Sequence, residues 1–130
     1  MIGKTLCKED VLYLSGPMSG LPLGNRDAFF GMAGTLEQLF GCKVLNPARN
    51  PLGMTREWYM ARALDDVGKC TAVVLLDGWQ DSEGAKAELA EAIAKGRRIL
   101  LEQDLRMAMH FRFEELTGRG QEKEKETDKE

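Results

Sequence analysis

The sequence has little of what several common kinds of functional site require. It contains a single histidine and only three cysteines, Cys7, Cys42 and Cys70, which are odd in number and far apart. A disulfide framework is therefore not expected. A transition-metal site is not expected either, because such sites need clustered Cys and His ligands. We predict a protein that uses neither a metal nor another cofactor.

Long apolar runs and an excess of positive charge are also missing. No apolar stretch approaches the roughly 18 residues of a membrane span, and the N-terminus lacks the charged-then-apolar pattern of a secretion signal. The formal net charge is −3, whereas a protein that binds nucleic acid polymers needs a basic surface. These absences predict a cytoplasmic protein whose partners include neither a membrane nor a nucleic acid polymer.

What is present is the composition of an ordinary globular domain, with 43% hydrophobic and 30% charged residues. Short β-prone segments alternate along the chain with segments of helical periodicity. The strands are predicted near 11–14, 43–45, 71–76 and 97–101, and the helices near 27–40, 55–68, 83–95 and 104–116. This alternation predicts a single-domain α/β fold with a parallel sheet of four to five strands, helices on both faces and the strand order 2-1-3-4.

The apolar pattern ends close to Leu116. From Gly118 onward the chain contains no apolar side chain and many Lys and Glu residues. Such a segment has nothing to bury on folding and is expected to be disordered. We therefore predict one domain over residues 1–117 and a charged, disordered tail over residues 118–130.

The candidate site is predicted where the first and third strands end, because loops at the carboxyl ends of parallel strands line a common crevice. The first loop, 15–20, is rich in Gly and Ser, and its small side chains and free N–H groups suit a phosphate or a sugar edge. It has neither the Walker nor the G-x-G-x-x-G spacing, and a simple β–α turn would have the same composition. The second loop, 77–84, leads into a helix for which Ser82 is a good N-cap.

Glu88 lies about one helical turn beyond Gly84, on the same side of the predicted helix. This spacing places a carboxylate over the floor of the proposed crevice. A Glu in a helix is more often a solvated surface residue. The apolar stripe of this helix consists of Ala85, Leu89, Ala92 and Ile93. Glu88 lies at the edge of that stripe, so the pattern allows it to face either water or a cleft.

Other patterns allow similar alternatives. Asn25 is predicted to cap the first helix, and Leu64 to belong to the apolar face of the second, with Asp65 and Asp66 beside that face. Asn46 precedes a proline-rich turn, where it either contacts a base or ribose or only shapes the turn. Trp79 either stacks on a base or fills a contact between subunits. The last helix is predicted to bury Leu105, Met109, Phe113 and Leu116.

Several short motifs occur in a recognisable order: Tyr13-Leu-Ser-Gly-Pro-Met-Ser-Gly20, Asn25-Arg26, Asn46-Pro47-Ala48, and Asp77-Gly-Trp-Gln-Asp-Ser-Glu-Gly-Ala-Lys-Ala-Glu88. With them, nearly all of residues 11–102 resemble a small phage and bacterial family that looks like a branch of the nucleoside 2-deoxyribosyltransferase superfamily. The resemblance implies a Rossmann- or flavodoxin-like enzyme, a hydrolase or transferase acting on the N-glycosidic bond of a nucleoside, nucleotide or related ribosyl compound. It also implies a homo-oligomer with the pocket near the subunit interface.

The resemblance also implies roles for single residues. Glu88 ends a Ser-x-Gly-x-x-x-Glu stretch, which implies that it is the nucleophile. The residues that the resemblance and the loops together suggest for substrate binding are Tyr13, Ser15, Gly16, Met18, Asn25, Asn46, Asp77, Gly78, Trp79, Ser82 and Gly84.

The sequence departs from the superfamily pattern at two positions. The superfamily commonly carries an Asp on the helix before the central strand and another that opens that strand, and the register places Ala63 and Thr71 there. Asp66, one helical turn from Ala63, is our candidate for the second catalytic carboxyl group. Its neighbour Asp65 and the loop residues Asp77 and Asp81 are the alternatives. The alternative is a catalytically inactive nucleotide-binding or nucleotide-sequestering protein.

Overall fold

The structure is a computed structural model that describes residues 6–118. Strands and helices alternate along this part of the chain. They are β1 (Val11–Ser15), α1 (Arg26–Phe40), β2 (Lys43–Leu45), α2 (Arg56–Lys69), β3 (Ala72–Leu75), α3 (Glu83–Ala94), β4 (Arg98–Leu101) and α4 (Glu102–Thr117). The predicted alternation is confirmed. The predicted tail lies outside the described residues from position 119 onward.

The four strands form one parallel sheet in the order β2-β1-β3-β4. In the register of the sheet, Tyr13 of β1 is level with Leu45 of β2 and with Val73 of β3. The central strand β3 is buried along its whole length, as expected for a parallel sheet covered on both faces. The predicted order is confirmed, and it places the carboxyl ends of β1 and β3 side by side.

Side chains alternate between two apolar layers. Leu12 and Leu14 of β1 pack with the buried residues of α1 and α4 on one face of the sheet. Tyr13 and Val73 pack on the other face, with Ala63 and other buried residues of α2 and α3. Successive residues of a strand point to opposite faces of the sheet. A residue of β1 that faces α3 must therefore lie an even number of positions from Tyr13.

Two helices bury different side chains than the sequence indicated. In α2 the predicted core residue Leu64 is 37% exposed, and Asp66 is buried on the same face as Ala63 and Val67. In α3 the predicted stripe residue Ile93 is 63% exposed. The buried positions of α3 are the small residues Ala85 and Ala92, and α2 and α3 pack against each other.

The last helix also departs from its predicted face. Leu105 is buried, but Phe113 is 42% and Leu116 is 54% exposed. The 16 residues of α4 span about 24 Å, whereas the four residues of the adjoining β4 span only about 13 Å. The helix is therefore longer than the strand that precedes it.

Two helix ends are capped as the sequence indicates, and a third is not. Thr55 accepts a hydrogen bond from the backbone N–H of Trp58 and so caps α2. Gly41 ends α1 with a φ of +68°, as a left-handed C-terminal glycine does. The predicted cap of α1 was wrong, because the Asn25 side chain makes no bond to that helix and instead donates to the carbonyl of Pro17 at 2.9 Å.

Among the helices of residues 6–118, none has the length and apolar character needed to cross a bilayer.

Candidate functional site

The loops that follow β1 and β3 pack directly against each other. The Leu76 N–H donates to the carbonyl of Ser15 at 2.8 Å. A Cβ placed on Gly16 would lie 2.9 Å from the Leu76 Cβ, closer than real contacts allow. A Cβ on Gly78, where φ is +88°, would lie 3.3 Å from the Pro17 Cγ. These glycines therefore permit an approach of the two loops that larger residues would prevent.

Glu88 of α3 is joined to β1 through both of its carboxylate oxygens. The Ser15 hydroxyl donates to Oε1 at 2.6 Å, and the Tyr13 hydroxyl donates to Oε2 at 3.1 Å. Tyr13 is 0% and Ser15 is 1% exposed, whereas Glu88 keeps partial contact with solvent. Tyr13 and Ser15 are two positions apart on the strand and so point to the same face. The carboxylate is thus anchored from inside the fold through both oxygens.

The start of α3 aims Glu88 inward. The Ser82 hydroxyl accepts a hydrogen bond from the Ala85 N–H at 3.1 Å, which fixes the first turn of the helix. Ala85 is 2% exposed and packs on the sheet. Glu88 follows Ala85 by three residues and therefore lies on the same side of the helix. A Cβ on Gly84 would meet only the Ser82 Oγ, at 3.9 Å, so the space beside this turn is open.

Burial is the main influence on the protonation of this cluster. It raises the pKa of the Glu88 carboxyl, the hydrogen bonds from Ser15 and Tyr13 lower it in part, and the charge of Asp66 raises it further. Burial, followed by the charge of Glu88, raises the pKa of Tyr13 well above its ordinary value. Tyr13 therefore remains a hydrogen-bond donor at neutral pH, and Glu88 binds a proton more readily than a solvated carboxylate.

Asp66 is the second carboxylate of the cluster. It is 6% exposed, and its charge influences both Tyr13 and Glu88. Its ion-pair partner is Arg62, whose Nε lies 3.5 Å from Oδ1. The neighbouring Asp65 points outward and pairs with Lys69 at 2.8 Å. Of the two adjacent aspartates, the structure therefore brings only Asp66 to Tyr13 and Glu88.

Within residues 6–118, neither Asp77 nor Trp79 hydrogen-bonds to the Glu88 carboxylate. The Asp77 side chain pairs with Arg106 of α4, and its backbone N–H donates to Glu102 at 2.9 Å. Trp79 is half-buried and packs against the core layer that contains Tyr13. Asp77, Gly78 and Glu102 instead line a surface groove on the α4 side of the two loops, together with Ser19, Asn25 and Asp81.

Asn46, Met18 and Asn25 also support the surrounding loops. The Asn46 Oδ1 accepts from the Ala48 N–H at 2.9 Å, which fixes the orientation of the amide. Its Nδ2 atom is buried and has no hydrogen-bond partner within residues 6–118. Met18 packs against the core layer of α1 and α4. None of these three side chains hydrogen-bonds to Glu88, and their predicted contacts with a substrate stay predictions.

The sequence interpretation missed two charged residues near the loops. Arg62 precedes Asp66 by four residues, a spacing typical of helical ion pairs, and this signal was available in the sequence. Glu102 reaches the Asp77 backbone across 25 positions of the chain, and no local pattern predicts such a contact. In the described part of the chain, no group of three or more His, Cys, Asp or Glu side chains is arranged to hold a metal ion.

Comparison with known proteins places the chain in a family. No curated protein matches it. A family model described as a domain of unknown function, DUF4406, matches residues 10–101, a stretch that runs from the start of β1 to the end of β4 and includes Tyr13, Ser15, Asp66 and Glu88. Because this match spans more than half of the chain, the protein belongs to the DUF4406 family.

Proposed function

We propose that the protein cleaves the N-glycosidic bond of a nucleoside, nucleotide or related ribosyl compound, with Glu88 as the nucleophile. The observation that carries the proposal is the Glu88 carboxylate, held by the hydroxyls of Tyr13 and Ser15 at the carboxyl end of β1 in a residue that keeps partial contact with solvent. Loops at that end of a parallel sheet are the usual place for a ligand. The resemblance of the motifs to the nucleoside 2-deoxyribosyltransferase superfamily supports the same chemistry.

In the first step an oxygen of Glu88 forms a bond to the anomeric carbon of the sugar. The carbon–nitrogen bond breaks, its electron pair leaves with the base, and a covalent glycosyl-enzyme ester remains. The sugar carries positive charge in the transition state, as in retaining glycosidases, and a nearby carboxylate stabilises that charge. Partial burial favours the reaction because it leaves the nucleophile poorly hydrated.

The departing base needs a proton, for which Asp66 is our candidate donor. General acid catalysis commonly uses a second carboxyl group close to the nucleophile, and Asp66 is buried on the α2 face whose Ala63 and Val67 pack in the same apolar layer as Tyr13. In the second step water, or a second base, attacks the anomeric carbon, and Glu88 leaves with the electron pair of the ester bond. The proton of the attacking group passes to the carboxylate of Asp66. The outcome is hydrolysis or glycosyl transfer.

A base-release assay tests this function directly. The purified protein is incubated with a panel of nucleosides, deoxynucleoside monophosphates and NAD, and the free base is measured by chromatography. We expect release by the wild type and a loss of at least about a thousandfold in Glu88→Ala, as is usual for a catalytic nucleophile. Glu91→Ala, one turn further along α3, is the control and should retain activity. Equal release by Glu88→Ala would exclude Glu88 as the nucleophile.

The role of Asp66 has a matched control in its neighbour. Asp66→Asn is expected to lower the rate of base release by about 100- to 10,000-fold, the usual contribution of a general acid. Asp65→Asn removes an exposed carboxylate from the same turn and should leave the rate unchanged. The defect of Asp66→Asn should be smallest for substrates whose leaving base needs no proton. A uniform defect across leaving groups would contradict proton donation by Asp66.

One observation favours a second function, the binding of a nucleotide without turnover. Ala63 occupies the position at which the superfamily commonly has an Asp, and Arg62 already pairs with Asp66. Under this alternative, a ligand from the same panel raises the melting temperature of the wild type by mass action, yet no base is released. Base release from that ligand would exclude the alternative.

We also propose that the protein is a homo-oligomer. The outer side of α4 exposes Met107 (60%) and Phe111 (50%), and Met and Phe are enriched in protein interfaces. Sedimentation velocity of the wild type and of Phe111→Glu tests this proposal. We expect the wild type to sediment as an oligomer that the substitution weakens. A wild type that remains monomeric at high micromolar concentration would contradict it.

A further inference from the structure

The Ser15 hydroxyl has a more specific place in the cluster than its position in a loop motif suggested. Ser15 is 1% exposed, and its hydroxyl lies 2.6 Å from Glu88 Oε1. A hydroxyl as enclosed as this one acts on a substrate through the group that it touches.

We propose that Ser15 is a positioning residue that holds Oε1 of Glu88, so that Oε2 is the oxygen that attacks the sugar. Hydrogen bonds to a charged acceptor are stronger when they are shorter. The bond from Ser15 to Oε1 is 2.6 Å long, and the bond from Tyr13 to Oε2 is 3.1 Å long. The oxygen with the weaker bond keeps more of its electron density for the anomeric carbon. The catalytic part of this inference rests on the proposed function, whereas the anchoring of Glu88 does not.

The backbone around Ser15 is suited to this task. Ser15 is the last residue of β1 and is level with Leu75 of β3, and its carbonyl accepts the Leu76 N–H at 2.8 Å. The next residue, Gly16, is packed against the Leu76 side chain. The hydroxyl is therefore carried by a backbone segment that hydrogen bonding and packing hold in place, and a rigid support is what precise placement of a reactive group requires.

The proposal has a distinct consequence for each half of the reaction. In the first half, Oε2 bonds to the anomeric carbon while the carbon–nitrogen electron pair leaves with the base. In the second half, water oxygen bonds to that carbon, the carbon–Oε2 bond breaks, and its electron pair returns to the Glu88 carboxylate. Ser15 remains bonded to Oε1 and stabilises the charge that returns. Loss of the hydroxyl therefore slows the second half and lets the glycosyl-enzyme accumulate.

The anchoring is tested first, without any substrate. Carbon-13 NMR follows the titration of the Glu88 carboxyl in the wild type, Ser15→Ala, Tyr13→Phe and Thr71→Ala. Thr71 is a matched control, because its hydroxyl donates to the Asp10 carboxylate at 2.8 Å where β1 and β3 begin, at the opposite end of both strands. We expect Ser15→Ala to raise the proton affinity of Glu88 by about tenfold, Tyr13→Phe to raise it less, and Thr71→Ala to leave it unchanged. An unchanged titration in Ser15→Ala overturns the proposal.

The catalytic consequence is tested with any substrate that the wild type turns over. Intact-mass spectrometry during turnover should show a several-fold larger fraction of glycosyl-enzyme in Ser15→Ala than in the wild type, and the acid limb of its pH–rate profile should move to higher pH. Slower turnover with an unchanged fraction of glycosyl-enzyme refutes the role of Ser15 in the second half but leaves the proposed function intact. If the wild type releases no base, both the proposed function and the role of Ser15 in the second half of the reaction are refuted. The titration of Glu88 alone then tests whether Ser15 anchors the carboxylate.

Discussion

Replacement of Glu88 by glutamine is expected to stabilise the protein increasingly as the pH rises. Burial raises the pKa of the Glu88 carboxyl above its ordinary value of 4.5, and the bonds from Ser15 and Tyr13 offset this only in part. A carboxyl group whose pKa is raised by folding contributes stability while it is protonated, and that contribution is lost as the pH rises through its native pKa. The amide of glutamine remains neutral and does not incur this loss.

Two contributions set the difference in unfolding free energy between Glu88→Gln and the wild type, and only one of them depends on pH. Each unit by which the native pKa exceeds the unfolded one corresponds to about 1.4 kcal/mol of unfolding free energy, which develops between those two pKa values. The change of hydrogen bonding is nearly independent of pH. The amide oxygen still accepts the Ser15 hydroxyl, while the amide nitrogen donates to the Tyr13 oxygen, so we expect a loss of about 1 kcal/mol from weaker, uncharged bonds. The substitution should therefore look mildly destabilising near pH 4, improve as the pH rises through the native pKa of Glu88, and then level off.

Urea unfolding of the wild type and Glu88→Gln between pH 4 and pH 8 measures this difference. Glu91→Gln is the control, because it removes a carboxylate from the same helix that pairs with Lys95 at 3.4 Å near the surface. The difference between Glu88→Gln and the wild type should grow in favour of the variant with rising pH, and the control should show no such gain. A difference that is flat across the range, or that favours the wild type more at pH 8 than at pH 4, would refute the argument from burial.

Three further predictions concern the loops that carry the site. Gly16→Ala should lower the unfolding free energy by about 1–3 kcal/mol, measured by urea unfolding, because its Cβ would lie 2.9 Å from the buried Leu76 Cβ; an unchanged midpoint would mean that the loops separate easily. Ser82→Ala should cost about 1 kcal/mol through loss of the bond from the Ala85 N–H, and Ser82→Asp should restore the cap. Leu23→Gly should stabilise the protein by about 0.5–1 kcal/mol, seen as a higher melting temperature, since Leu23 has a φ of +50° and is 82% exposed; a lower melting temperature would show that its side chain makes a contact that matters.

The fold was predictable because its signals are local. Apolar β-prone segments such as 72–76 alternate with helical periodicity, and a chain of this kind has few ways to cover a parallel sheet on both faces. Caps such as Thr55 and Ser82 are defined by residues within three positions of each other. Asn25 failed as a cap because its amide bonds to a carbonyl eight positions earlier, and cap preferences do not include that competitor.

The interior of the candidate site could not be predicted in the same way. The apolar pattern of α2 favoured Leu64 and left Asp65 and Asp66 equivalent, yet the helix buries Asp66 and exposes Leu64. The orientation of Glu88 was equally open, since it lies at the edge of its stripe. The orientation of Glu88 depends on the hydroxyls of Tyr13 and Ser15, more than 70 positions away in the chain, and the buried Asp66 pairs with the charge of Arg62. Hydrophobic periodicity contains no information about such partners.

The proposed enzyme and the alternative binding protein place different energetic demands on the Glu88 cluster. Glu88 is a largely buried carboxyl group whose pKa is raised by that burial, and keeping it ionised in such a site opposes folding. A site that only binds a neutral sugar or base gains as much from an amide or a hydroxyl, which can be buried without ionisation. A nucleophile, in contrast, must be ionised and poorly hydrated at the same time. If Glu88→Gln is more stable than the wild type but no longer releases base, the energetic cost of the carboxylate is assigned to catalysis. If Glu88→Gln is more stable and binds the ligand as well as the wild type does, and the wild type shows no turnover, the binding protein is favoured.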